Sequence, residues 1–353
     1  MSVRRPRLDP AIFHLPVERM REGYYSDKYF VRTREILRAD GYHPRVTMQV
    51  FGKAAAFLGG VDEAIAILKL CSDDWSALTV HALYDGDEVA PWETVMLIEG
   101  PYDVFANLET LYLGVLARRT RVATNTRRVV EAANGKEVLF FPARHDHWLV
   151  QTGDGYAAHV AGAIGVSTDA QASWWGSEGV GTVPHGLIAA YGGDTVRATC
   201  KFAEYVDPAV KVITLVDFEN DCVRTALACA DALGERLYGV RLDTSEMLVD
   251  RSVIPQMGRF KPTGVNPQLV HNVRAALDAA GYAHVRIIVS GGFTVDKIRD
   301  FEAQAVPVDG YGVGSSLFGG RFDFTADVVL LDGKPCAKVG REYRPNPRLE
   351  RVT

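Results

Sequence analysis

The spacing of hydrophobic positions changes about a third of the way along the chain. Before residue 110, short segments such as 45–51 and 95–99 alternate apolar and polar side chains, the period of strands in a half-exposed sheet. Stretches with helical spacing, 28–38 and 61–70, lie between them, and the mixture predicts an α+β domain. From about residue 136 the strand-like segments become continuous apolar runs, at 138–141, 212–216, 237–242, 285–289 and 310–313. Amphipathic helices separate several of these runs. Residues 221–233 set Val223, Ala226, Leu227, Ala230 and Leu233 on one face. Residues 267–280 have Asn266 as N-cap, Pro267 at the first helical position and Gly281 just past the end. Buried runs alternating with amphipathic helices predict parallel strands joined by right-handed crossovers. An irregular α/β barrel fits this rhythm best, with a doubly wound sheet as the alternative.

Beyond the barrel, residues 324–331 and 335–339 flank Asp332-Gly333, a strong hairpin signal. An antiparallel pair does not continue a parallel barrel, so the hairpin is expected to rejoin the N-terminal sheet. The predicted fold is therefore α/β: a barrel at 111–321 beside a discontinuous α+β N-terminal domain, 1–110 plus 322–353, completed by the C-terminal hairpin. The tail from Arg341, with Pro345 and Pro347, reads as extended and peripheral.

Composition narrows the class. A chain of 353 residues with 47% hydrophobic and 24% charged residues is ordinary for a soluble globular protein of two domains. A net charge of −5 lacks the basic excess of a nucleic-acid binder, although local arginines can still hold anionic substrates. The five cysteines form no Cys-x-x-Cys pair and no zinc spacing, which favours reduced thiols over a disulfide frame. The basic start Met-Ser-Val-Arg-Arg-Pro-Arg leads into no apolar run of signal or membrane-span character, and a cytoplasmic protein with no membrane partner is expected.

Polar residues gather where barrel strands should end, the face that carries barrel active sites. Residues 138–141 run into Pro142-Ala143-Arg144-His145-Asp146-His147, and 212–216 end at Asp217. Residues 237–242 contain Arg241 and end at Asp243. Residues 285–289 end in Ser290-Gly291-Gly292, and 310–313 in Gly314-Ser315-Ser316. The most informative stretch is Gly181-Thr182-Val183-Pro184-His185, which opens a helix with a hydroxyl, free backbone donors and an imidazole together. Taken alone it equally describes a turn before a core histidine. The glycine-rich pieces Ser290–Gly292 and Gly312–Ser315 let a backbone approach a phosphate closely. Asp217 and Asp243 suit ribose hydroxyls or a Mg²⁺ on a polyphosphate, or else cap the helices that follow. Arg144 and Arg241 offer planar forks for phosphate or carboxylate, and Arg241, within an apolar strand, is costly to bury without an anion. His145-Asp146-His147 has no evident third ligand, so no protein-only metal site is expected. The Trp174-Trp175 pair reads as core.

These pieces, in order, resemble the motifs of the nicotinate phosphoribosyltransferase family, most closely its shorter archaeal-type branch. They are Phe140-Phe141-Pro142-Ala143-Arg144-His145, Gly179 to His185, Leu215-Val216-Asp217, Gly239-Val240-Arg241-Leu242-Asp243-Thr244, Val289-Ser290-Gly291-Gly292 and Tyr311-Gly312-Val313-Gly314. Tyr25-Ser26-Asp27-Lys28-Tyr29-Phe30-Val31-Arg32-Thr33 and Ile98-Glu99-Gly100-Pro101-Tyr102 extend the likeness over roughly residues 20 to 340. The resemblance implies a type II phosphoribosyltransferase that makes nicotinate mononucleotide and pyrophosphate from nicotinate and phosphoribosyl pyrophosphate, with Mg²⁺. It further implies ATP as co-substrate through phosphorylation of His185, and sites shared across a homodimer or higher homo-oligomer. On this basis His185, Asp217 and Asp243 are the expected catalytic residues. Arg144 would serve pyrophosphate or the nicotinate ring region, Arg241 phosphate or the nicotinate carboxylate, and Thr182 the phosphate-binding helix end. Ser290, Gly291, Gly292, Gly312, Gly314 and Ser315 would cradle the 5′-phosphate. Phe141 would stack on the pyridine ring, and Tyr25 would cross from the partner subunit.

Three departures from the family pattern stand out. The tail after Gly340 has no cysteine, so no zinc knuckle is expected. Asp217 is followed by Phe218-Glu219-Asn220 where relatives carry threonine or serine and tyrosine. Segment 162–169 has Ala163-Ile164 where relatives carry more polar residues, and the lack of an acid at those two positions favours nicotinate over nicotinamide. The alternatives are a phosphoribosyltransferase for quinolinate or nicotinamide, and a non-catalytic barrel ligand sensor. A sugar-phosphate aldolase would need a lysine or carboxylate base at a strand end, and none of these strands ends in lysine.

Overall fold

The structure is a computed structural model that describes residues 5–353, so the first four residues of the basic N-terminal stretch lie outside it. The chain first forms the sheet strands β1 (Arg45–Gly52), β2 (Thr79–Ala82) and β3 (Thr94–Pro101), with a separate antiparallel pair, Ala56–Phe57 and Glu88–Val89, in the connections between them. It continues through β4 (Glu137–Phe140), β5 (Gly165–Val166), β6 (Val212–Leu215), β7 (Leu237–Leu242), β8 (Arg286–Val289) and β9 (Gly310–Val313). It closes with β10 (Phe324–Leu331), β11 (Lys334–Pro335) and β12 (Glu350–Arg351). Two compact units result. The first takes residues 5–124, Tyr156–Ala161 and Phe318–Thr353; the second takes Asn125–Gly155 and Gly162–Leu317. The spacing of hydrophobic positions placed the change of texture near 110, whereas the units divide inside the continuous helix Glu109–Ala132.

The first unit holds an antiparallel sheet in the order β11-β10-β1-β3-β2-β12. Helix Val61–Cys71 and Val46, Met48 and Val50 of β1 share one hydrophobic core. The half-exposed sheet read from the alternation needs correction, because β1 is buried at every position after Arg45. Its polar side is covered by the C-terminal tail. Gln49 donates to the Glu342 carbonyl at 3.2 Å and accepts from the Arg344 amide at 2.7 Å, and Thr94 Oγ donates to the Arg344 carbonyl at 2.8 Å. The Arg341 guanidinium lies over Phe51 and Trp92. The tail is thus extended but not peripheral. It ends as β12 on β2, with Val352 in the core at 6% exposure. The hairpin does rejoin this sheet through β10 on β1, but its second strand is only Lys334–Pro335 rather than 335–339.

The second unit holds a wholly parallel sheet, β5-β4-β9-β8-β7-β6. Its two edges are bridged by one irregular segment: the Val180 amide donates to Val166 of β5 at 2.7 Å, and the Val183 amide to Ile213 of β6 at 2.8 Å. This is the irregular barrel, closed by the stretch that precedes His185. Helices follow the strands and open on side-chain caps. The Asn266 side chain accepts from the Leu269 amide at 3.0 Å, opening Pro267–Ala279. Asp221 caps Cys222–Leu233, and Thr294 caps Val295–Ala303.

Candidate active site

A cavity of about 660 Å³ opens at the C-terminal ends of the parallel strands, within the second unit. Each strand delivers its polar residues there for a local reason. The Phe141 amide donates to the Val313 carbonyl at 2.8 Å, which carries the chain after β4 over β9. A Cβ on Gly312 would lie 2.6 Å from two Phe141 ring atoms, so the ring rests on this glycine and only a residue without a side chain fits. A Cβ on Gly314 would meet the His145 ring at 3.0 Å. Ser316 Oγ donates to the Phe293 carbonyl at 2.8 Å and joins the loops that follow β8 and β9.

His185 Nε2 lies 3.0 and 3.1 Å from the two carboxylate oxygens of Asp217. The pair is lopsided, with the His185 side chain 42% exposed and that of Asp217 only 9%. Burial raises the Asp217 pKa above its ordinary value and the neighbouring Asp243 adds to this, while His185 opposes it. Asp217 does not cap the next helix, because Asp221 fills that place and leaves its carboxylate for the imidazole. Asp243 Oδ1 accepts from Ser290 Oγ at 2.8 Å, and Oδ2 stands 3.9 Å from Arg241. The Arg241 guanidinium is pulled below its usual pKa chiefly by burial, a shift that Asp243 and Asp217 oppose. Its Nε is buried without a hydrogen-bond partner, and its charged end lies 5.7 Å from the centre of the Phe141 ring. A partly buried guanidinium with an unused donor beside a cavity is suited to an anion.

Of the residues singled out from the sequence, Phe141, Arg144, Thr182, His185, Arg241, Asp243, Ser290, Gly291, Gly292, Gly312, Gly314 and Ser315 all line this cavity. Asp217 stands behind His185. Tyr25 belongs to the first unit, 47% exposed with its ring edge-on to Tyr24. Ser316, from the strand-end piece 314–316, lines the cavity too, as do Ser167 and Thr294, which carried no motif of their own. His145 and His147 do not share a face: His145 reaches the cavity, whereas His147 Nδ1 accepts from the Leu149 amide at 3.2 Å as a helix cap. Among the described residues no group of three or more His, Cys, Asp or Glu side chains converges on a metal position. A second cavity, about 880 Å³, lies under the opposite strand ends. Its Lys136, Arg274 and Arg286 are paired with Glu302, Asp278 and Glu137 at 2.8 to 3.0 Å, a salt-bridged floor.

Residues 27–120 match the description "Quinolinate phosphoribosyl transferase, N-terminal domain" and residues 122–318 match "Quinolinate phosphoribosyl transferase, C-terminal domain". A solved structure described as nicotinate-nucleotide pyrophosphorylase from Pyrococcus furiosus is 32% identical with a TM-score of 0.81, over 96% of this chain and 85% of that one. Nicotinate phosphoribosyltransferase pncB1 of Mycobacterium tuberculosis is 28% identical over 74% of this chain. The match spans only 56% of that relative's length. NadC from Streptococcus pyogenes, 19% identical with a TM-score of 0.65 over 91% of this chain and 98% of that one, shares the fold. Among the described residues no helix is long and apolar enough to cross a membrane.

Proposed function

Because the chain belongs to the quinolinate and nicotinate phosphoribosyltransferase family, we propose that it transfers the phosphoribosyl group of phosphoribosyl pyrophosphate to the ring nitrogen of nicotinate, coupled to ATP. The observation that carries this reading is the His185–Asp217 pair, set on the same cavity as the two glycine loops. With Nε2 facing the carboxylate, Nδ1 keeps its lone pair and can take the γ-phosphoryl group of ATP as ADP leaves. Asp217 then balances the charge that develops on the imidazole. In the transfer itself, pyrophosphate leaves ribose C1 and an oxocarbenium-like centre forms, which the base nitrogen attacks in line. Arg144 and Arg241 take the anionic ends of pyrophosphate and base, Phe141 stacks on the pyridine, and Asp243, oriented by Ser290, accepts from the ribose hydroxyls.

Mg²⁺ fits this site only together with substrate. Both Asp217 oxygens face His185, so Asp243 is the carboxylate that would hold the ion when substrate is bound. Bound there, the ion would neutralise the leaving group. In the same reading the protein is a homodimer or higher homo-oligomer, and Tyr25 reaches the site of a second subunit. Quinolinate is the second reading, favoured by the family description matched at 122–318 and by two guanidinium groups on one cavity, one for each carboxylate of that base.

The test is product formation from phosphoribosyl pyrophosphate and Mg²⁺ with nicotinate, nicotinamide or quinolinate, each with and without ATP. ATP-stimulated nicotinate mononucleotide is expected, and His185→Ala should remove the stimulation while leaving slower ATP-independent transfer. Turnover of quinolinate alone would establish the second reading, and no product from any base would overturn both.

A further inference from the structure

A carboxylate sits on the glycine pair assigned to the substrate phosphate. Glu246 lies three residues past Asp243, and a Cβ built on Gly292 would stand 2.6 Å from its Oε1 and 3.3 Å from its Cδ. The side chain therefore rests directly on the Gly292 backbone. Lys297 approaches the same pair, donating from Nζ to the Gly291 carbonyl at 3.4 Å, with its ammonium 4.3 Å from the Phe293 ring centre. Burial lowers the Lys297 pKa and Lys261 adds to this, while Glu246 pulls the other way. Gly291 and Gly292 hold φ of 83° and 68°, a left-handed turn open to glycine, and Thr294 caps the helix that Lys297 enters. Glu246 is itself held at the base of a closed loop. The Gly264 amide donates to the Leu248 carbonyl at 2.8 Å, Val249 bridges Thr263, and a Cβ on Gly264 would stand 3.3 Å from the Glu246 Cα.

A lysine, two bare glycines and a helix start make an anion cradle, and here an anionic side chain lies against one of the glycines. We propose that Glu246 competes with the 5′-phosphate of the phosphoribosyl substrate for the Gly291–Gly292 cradle, beside which Lys297 stands as the cation. The inference rests on the phosphoribosyl reading above. Substrate entry then requires Glu246 to swing off Gly292, so this residue tunes affinity for the sugar phosphate without touching the reacting carbon.

Ribose 5-phosphate isolates the cradle, because it carries the 5′-phosphate and lacks pyrophosphate. Its binding is measured by calorimetry to wild type, Glu246→Gln, Glu246→Ala and Lys297→Met, with phosphoribosyl pyrophosphate run alongside and folding checked by circular dichroism. Both Glu246 variants should bind ribose 5-phosphate about three- to tenfold more tightly, the range of one charged contact at a partly exposed site. Lys297→Met should bind it more weakly, and Glu246→Gln should lower KM for phosphoribosyl pyrophosphate with kcat retained. Equal or weaker binding by the Glu246 variants, with wild type still binding both ligands, would overturn the competition and leave the phosphoribosyl reading standing. If the folded proteins bind neither ligand, the phosphoribosyl reading falls and the competition falls with it.

Discussion

Single residues explain much of the site, and they do so through partners far away in sequence. Arg241 is visible in the chain as a charge inside an apolar strand, but only the fold sets it 5.7 Å from the Phe141 ring, 100 positions earlier, with a buried, unused Nε. Gly312 reads as one more turn glycine until the Phe141 ring is seen lying on it. Glu246 carries no motif signal at all, because its meaning comes from Gly292, which lies 46 positions further on. One residue outside the site makes a prediction of the same kind. Glu109, at the start of Glu109–Ala132, has its pKa pushed from 4.5 to about 8, first by burial and then by Asp327 and Asp27. Between those values the folded protein keeps the proton and the unfolded chain loses it, so this group makes stability fall as pH rises through the window. Glu109→Gln should flatten that fall, which urea midpoints at about pH 5 and about pH 8.5 would show. Identical pH slopes in both proteins would remove the effect.

At the scale of elements, the pattern of the chain was most readable where local physics acts alone. The run 267–280 names its own helix, and the structure gives Pro267–Ala279 with Asn266 capping it. Asn266 also donates to the Pro262 carbonyl at 2.8 Å and the Gly264 carbonyl at 3.2 Å, tying the helix start to the loop that carries Glu246. Asn266→Ala should cost about 1–2 kcal/mol, a lost cap plus orphaned loop carbonyls, read as a lower urea midpoint at unchanged slope. A cost below about 0.3 kcal/mol would mean that water replaces the cap. Alternation misled at β1, since a polar face indicates contact with polar partners as readily as contact with water. Here the partners are the backbone groups of Glu342 and Arg344. The stretch before His185 has no strand period at all, yet it completes the barrel because its amides reach both open edges of the sheet.

At the scale of the whole molecule, the chain returns at its end to the unit it began. β10 lies on β1, the tail covers the polar side of that sheet, and β12 pairs with β2. A chain ending at residue 347 would lose β12 and the burial of Val352, and should unfold with about 2–4 kcal/mol less stability. Calorimetry of the shortened protein would measure this, and an unchanged melting temperature would make the tail dispensable. Sequence alone determined the class of the second unit, all of its strands but β5 and the polar residues that its strand ends bring to the cavity, because burial period and strand-end polarity are local properties. It also carried the family resemblance, whose motifs lie in order along the chain. Tertiary structure alone decided which carboxylate meets the imidazole, which segment closes the barrel, and what covers the first sheet. Those outcomes depend on contacts between positions tens to hundreds of residues apart, and no local pattern encodes such a distance.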